Sequence, residues 1–73
     1  MPTHDDWDAV LRDTRSHEPE FVGLTEADAR LLAARLDLEL RVVPPDGSVT
    51  ADLRPRRMTV VLSGGRVTEA FGG

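Results

Sequence analysis

Pro44-Pro45-Asp46-Gly47-Ser48-Val49-Thr50-Ala51-Asp52-Leu53-Arg54-Pro55-Arg56-Arg57 separates two apolar runs, and the fold turns on how this stretch is read. The two prolines fix φ at its start, Gly47 permits a turn, and Val49 and Thr50 are β-branched residues that favour extended backbone. These features predict an ordered, exposed loop. In an extended chain successive side chains alternate, so Val49, Ala51 and Leu53 project one way while Thr50 and Asp52 project the other. With Ala51 outward, a hydroxyl and a carboxylate face the body of the protein, and Arg54, Arg56 and Arg57 follow on the next segment to meet them. A guanidinium presents a rigid fork of donors that holds a carboxylate and a neighbouring acceptor together. The three arginines are therefore read as support for the loop.

Working outward, residues 38–43 read as a strand, with Leu38, Leu40 and Val42 alternating against Glu39 and Arg41. Residues 58–62 read as a second, mostly buried strand, in which Met58, Val60 and Leu62 alternate with Thr59 and Val61. The loop is long enough for a crossover, so these two strands can lie parallel. Ser63-Gly64-Gly65-Arg66 is a hairpin turn, and residues 67–71 return as a short antiparallel edge strand that the terminal glycines end. Upstream, Thr25-Glu26-Ala27-Asp28 starts a helix that should run from Glu26 to about Leu36. Ala29, Leu32, Ala33 and Leu36 form the face that lies on the sheet. A second apolar row, Ala27, Leu31 and Ala34, is left to meet an N-terminal helix or a partner.

Residues 1–17 form a separate acidic extension. Trp7, Val10, Leu11 and Thr14 recur at helical spacing, with Asp5 or Asp6 as N-cap, which predicts a short amphipathic helix whose stripe packs on the domain. The fold class is α+β: one main helix on a small mixed sheet, with an extended exposed loop and a short N-terminal helix.

The stretch 44–62, with Val49-Thr50-Ala51-Asp52 followed by Arg54-Pro55-Arg56-Arg57, resembles the protease-binding loop of the potato inhibitor I family of serine protease inhibitors, which includes eglin and the barley chymotrypsin inhibitors. The Arg-Pro-x-Arg run is most similar to the family's small bacterial relatives. Pro19-Glu20-Phe21-Val22-Gly23 resembles the segment that precedes the family's single helix, so the likeness spans residues 18–71 of an 18–73 domain. The resemblance implies that the Ala51 to Asp52 bond occupies the scissile position and that Ala51 enters the primary pocket of a serine protease. Val49 and Thr50 then add main-chain pairing, and Leu53 fills a leaving-side subsite. It further implies that Arg57 supports the loop, while Thr59 stands where the family carries a second basic or polar support and Leu53 where it carries an aromatic residue. Many members have a tryptophan where this chain has Glu18, and Trp7 is expected to stand in for it. Alanine in the primary position points to subtilisin-like or elastase-like enzymes, and the expected state is a monomer. The alternative is a non-inhibitory interaction module on the same fold, acting through its greasy helix and N-terminal arm.

Composition narrows the other classes. At 73 residues this is a single small domain, near the lower limit for a fold held by a hydrophobic core alone. With no cysteine there is no disulfide, thiolate nucleophile or cysteine-ligated zinc. The net charge of -4 argues against general binding of nucleic acid or an anionic membrane. His4 and His17 lack metal-ligand spacing, Asp5 and Asp6 suit helix capping better than acid and base work, and Ser16, Ser48 and Ser63 have no histidine that the sequence places beside them. No catalytic residue, metal or cofactor is therefore expected. No signal peptide or membrane span is visible, which leaves a cytoplasmic protein or the mature form of an exported one.

Overall fold

The structure, a computed structural model, describes residues 4–47 and 54–73. Its element order is α1 (His4–Ser16), α2 (Glu18–Phe21), α3 (Glu26–Arg35), β1 (Glu39–Val43), β2 (Arg57–Ser63) and β3 (Arg66–Gly72). The three strands form one sheet in the order β1-β2-β3. β1 and β2 run parallel, with Glu39 beside Arg57 and Val43 beside Val61, and β2 and β3 run antiparallel. The chain is thus the α+β domain that the sequence predicts, with the parallel pair joined by residues 44–56.

Each element has a local cause. Thr25 caps α3 by accepting the Asp28 amide at 3.2 Å. The helix ends with Asp37 in the left-handed region, φ 57°, where the Asp37 amide reaches Ala34 O and the Leu38 amide reaches Ala33 O. These two bonds satisfy carbonyls of the last turn and aim the chain into β1. Gly64 and Gly65 both take positive φ, 61° and 81°, the conformation that a two-residue hairpin between right-twisted strands requires.

Ala29 and Ala33 bring α3 against the sheet, where they join Phe21, Leu38, Met58, Val60 and Val67 in the core, with Leu32 and Leu36 packed at its margin. Phe21, from α2, is fully buried. The other face of β2 is covered too: Arg57, Thr59 and Val61 are all buried, so the strand shows no solvent-exposed side over those positions. The second row of α3 does not meet α1; Ala27, Leu31 and Ala34 are exposed, Leu31 to 64 %.

Three expectations are corrected. The first helix begins at His4, so Asp5 and Asp6 lie inside it and neither is the residue that flanks its start. Leu11 and Thr14 carry its packing; Trp7 remains 41 % exposed and does not replace a core tryptophan at Glu18, whose carboxylate instead accepts the Gly72 amide at 2.6 Å. β3 runs from Arg66 to Gly72, one residue beyond the expected 67–71 at each end, and Gly72 closes it by pairing with Met58. A register shift at Val61/Leu62 makes room for Thr68 as an extra residue in β3, a bulge that alternation along a single strand does not reveal.

The outer edge of β3 is occupied at both ends, which blunts an edge that would otherwise invite pairing with another chain. Gly23 N and Leu24 O bond Val67 O and Val67 N, at 2.7 and 2.8 Å. At the other end Glu18 takes Gly72 N, and Arg15 Nε donates to Gly72 O at 3.4 Å. Here α1 approaches closely, because a methyl group at Gly72 would lie 2.6 Å from Arg15 Cγ and 3.0 Å from Arg15 N. The backbone part of that contact cannot rotate away. Gly72→Ala is therefore expected to lift the end of α1 and cost about 1–3 kcal/mol, read as a lower urea midpoint at unchanged m-value. An unchanged midpoint would show that α1 is not seated on Gly72.

Candidate functional site

The site is built from the two arms that lead into and out of residues 48–53. Val49, Thr50, Ala51, Asp52 and Leu53, the residues expected to contact a protease, lie outside the described residues. The arms themselves are defined. On the leading side, Pro44 accepts the Gly47 amide at 3.0 Å, closing the turn that Pro44-Pro45-Asp46-Gly47 predicts. Pro44 Cδ would lie 2.8 Å from a methyl group at Gly47, so the turn is tight enough to demand glycine.

The trailing arm is fixed more thoroughly. Four successive carbonyls after the loop each accept a hydrogen bond. Arg54 O takes the Arg57 amide at 3.2 Å, Arg56 O takes the Glu39 amide at 2.7 Å, and Arg57 O takes the Gly73 amide at 2.7 Å. Pro55 O receives the hydroxyl of Thr14, on α1, at 2.5 Å. The four bonds tie the arm to itself, to β1, to the last glycine and to the first helix.

The three arginines proposed as support occupy different settings. Arg57 is buried, 5 % exposed, and its Nε donates to Gly73 O at 3.4 Å. Thr59, which stands where the resemblance implies a second basic or polar support, is buried beside it and donates its hydroxyl to the same oxygen at 3.2 Å. Arg54 Nη1 reaches Glu39 Oε1 at 3.4 Å with both side chains exposed, a pair worth little by itself. Arg56 is exposed and lines an open groove of about 560 Å³ with Trp7, Asp37, Glu39, Arg54 and Pro55.

Arg41 belongs with them, although alternation alone marks it only as part of the polar face of β1. It pairs in register with Thr59 and shares with Glu39, Leu40, Arg54 and Arg57 the walls of a hollow of about 370 Å³. The signal was present once β1 and β2 were set parallel, since that register brings Arg41 alongside the buried face of β2. His17 is not simply solvated, because its Nδ1 is hydrogen-bonded to Glu20 Oε2. Among the described residues no cluster of His, Cys, Asp or Glu has the arrangement to hold a metal ion, and no helix is long and apolar enough to cross a membrane.

The fold is similar to that of the elastase inhibitor AFUEI, with a TM-score of 0.57 over 93 % of this chain and 100 % of that chain. Sequence identity is 18 %, so the likeness is one of fold. No family model matches the sequence, and no curated protein matches it significantly.

Proposed function

We propose that this protein is a substrate-mimicking inhibitor of serine proteases of the potato inhibitor I type, with Ala51 to Asp52 as the bond offered for cleavage. The observation that carries the reading is the trailing arm, whose every carbonyl from Arg54 to Arg57 is hydrogen-bonded, one within the arm and three to other parts of the domain. The similarity of fold to a solved elastase inhibitor supports it.

The chemistry explains why a bound arm matters. A serine protease forms an ester between its hydroxyl oxygen and the Ala51 carbonyl carbon as the bond to Asp52 nitrogen breaks, and the serine proton passes to that nitrogen. In an ordinary substrate the new amine diffuses off and water finishes the reaction. In this protein the amine belongs to a chain that the arm holds in place, so it returns to the acyl carbon and reforms the peptide bond. A loop already held in its bound shape also avoids the ordering cost of binding. Val49 and Thr50 add a short extended pairing to the enzyme, and Leu53 fills a leaving-side subsite. Arg57 supports the loop from below, with Arg54, Arg56 and Arg41 around its base.

The test is a titration of subtilisin and of elastase with the purified protein, followed by mass spectrometry of the mixture. Stoichiometric loss of protease activity, with an intact chain or a single nick after Ala51, is the expected result. Rapid cutting without inhibition would remove this reading. It would favour a non-inhibitory module that binds a partner through the exposed row Ala27, Leu31 and Ala34, for which the 64 % exposure of Leu31 speaks.

A further inference from the structure

We infer that Thr14 is a positioning residue of the loop, its hydroxyl clamping Pro55 so that α1 takes part in holding the trailing arm; the inference rests on the inhibitor reading. Three of the four bonded carbonyls of that arm receive backbone amides, which no side-chain substitution removes. Pro55 O receives a side chain instead, from a residue distant in sequence and only 1 % exposed.

A threonine in a helix usually returns its proton to the carbonyl one turn back, and Thr14 Oγ1 does stand 3.0 Å from Val10 O. Val10 O already accepts the Thr14 amide in the helix ladder, whereas Pro55 O receives the hydroxyl, so the hydroxyl's one proton is assigned to the arm. Pro55 has no amide proton, and its flanking carbonyls are engaged with Arg57 and Glu39. The hydroxyl thus completes the set at the point where the chain leaves the loop. Leu11 secures the same face of α1 one turn earlier, and Arg15 and Glu18 fasten the end of the helix pair to Gly72, so the clamp stands on a fixed base. In the inhibitory cycle this arm carries the Asp52 amine after cleavage. Loosening it lets the amine wander before the bond is reformed.

Thr14→Val keeps the branched shape and removes the hydroxyl, while Thr14→Ser keeps the hydroxyl and removes a methyl group. Both are made in the full chain and read twice. The first reading is hydrogen exchange of the Arg57 amide in the free protein, compared with amides of the β2/β3 ladder such as Val60. The second is the rate of cutting after Ala51 by subtilisin. Thr14→Val should speed Arg57 exchange and cutting by about tenfold, the scale of one lost hydrogen bond that leaves its acceptor buried. Val60 should exchange as in the parent, and Thr14→Ser should behave like the parent in both readings.

Equal effects of valine and serine would make the role one of packing and overturn the inference. So would unchanged Arg57 exchange in Thr14→Val, or unchanged cutting in a parent that does inhibit. If the parent is cut at once and inhibits nothing, the inhibitor reading fails separately, and a clamp seen by exchange alone then stands as a feature of the fold without that role.

Discussion

Arg57→Ala is expected to turn a slowly cut inhibitor into a substrate. Arg57 begins β2, stands in register with Glu39 and is buried, an uncommon setting for an arginine unless its donors are engaged. Its amide, carbonyl and Nε bond Arg54 O, Gly73 N and Gly73 O, so the residue links the trailing arm to the last glycine. Alanine keeps the two backbone bonds and removes the guanidinium, which donates to Gly73 O and lines the hollow beside Arg54. Hydrogen bonds from a charged donor contribute about 1.5–3 kcal/mol each. Losing one should therefore speed cutting after Ala51 by about tenfold to a hundredfold at a fixed protease concentration. Mass spectrometry over a time course with subtilisin checks this. The comparison is Arg57→Met, which retains most of the buried stem and lacks the charge. If alanine weakens the protein only by leaving a cavity, methionine should restore parent-like resistance. If the guanidinium is what holds the loop, both variants should be cut quickly. Resistance equal to the parent's in both would refute the support assigned to Arg57.

The parts of the fold that were legible in the sequence are those that local chemistry determines. The start of α3 at Thr25, the faces of α3 and the glycine hairpin at Gly64-Gly65 follow from capping, periodicity and backbone freedom, and each is found. The parallel pairing of β1 and β2 was legible because the intervening segment is long enough to return to the far end of the sheet. The misreadings involve contacts between elements. Helical spacing put Trp7, Leu11 and Thr14 on one stripe but carried no information on which end of the stripe lies closest to the sheet. Size favoured tryptophan, whereas the close approach at Gly72 draws in the other end of the helix, with Thr14 and Arg15. Thr14 looked like an ordinary small residue on an apolar face because its partner, Pro55 O, is a backbone atom that no pattern marks. The place of Arg41 is hidden from the sequence for a related reason. Alternation identifies the polar face of β1, and only the neighbouring strand turns that face into one wall of the hollow beside Arg54. For the loop itself, the assignment of Ala51 rests on the resemblance, and the arms constrain how it is held and not which residue it presents.

Replacing that residue gives the second large effect. Ala51→Leu is expected to tighten inhibition of subtilisin. Alanine offers a primary pocket a single methyl group, and a leucine buried in an apolar pocket adds about 1.5–3 kcal/mol relative to leaving it exposed. That corresponds to a dissociation constant lower by about tenfold to a hundredfold. The gain should appear for enzymes that accept an apolar primary residue. A trypsin-like enzyme, whose pocket requires a basic side chain, should be inhibited poorly by both forms. The direction of change across two proteases thus identifies the pocket residue without a structure of the complex. If Ala51 lay elsewhere on the surface, leucine would act alike on every protease or on none. The proposed support also separates this variant from Arg57→Ala, because the two act on different steps. Filling the pocket strengthens binding before any bond is broken, and loosening the arm raises the rate at which the broken bond is lost to water. Combined in one chain, the substitutions should give tighter initial binding together with fast cutting. Slow cutting in the double variant would mean that pocket filling alone holds the loop, and the role given to Arg57 would fall.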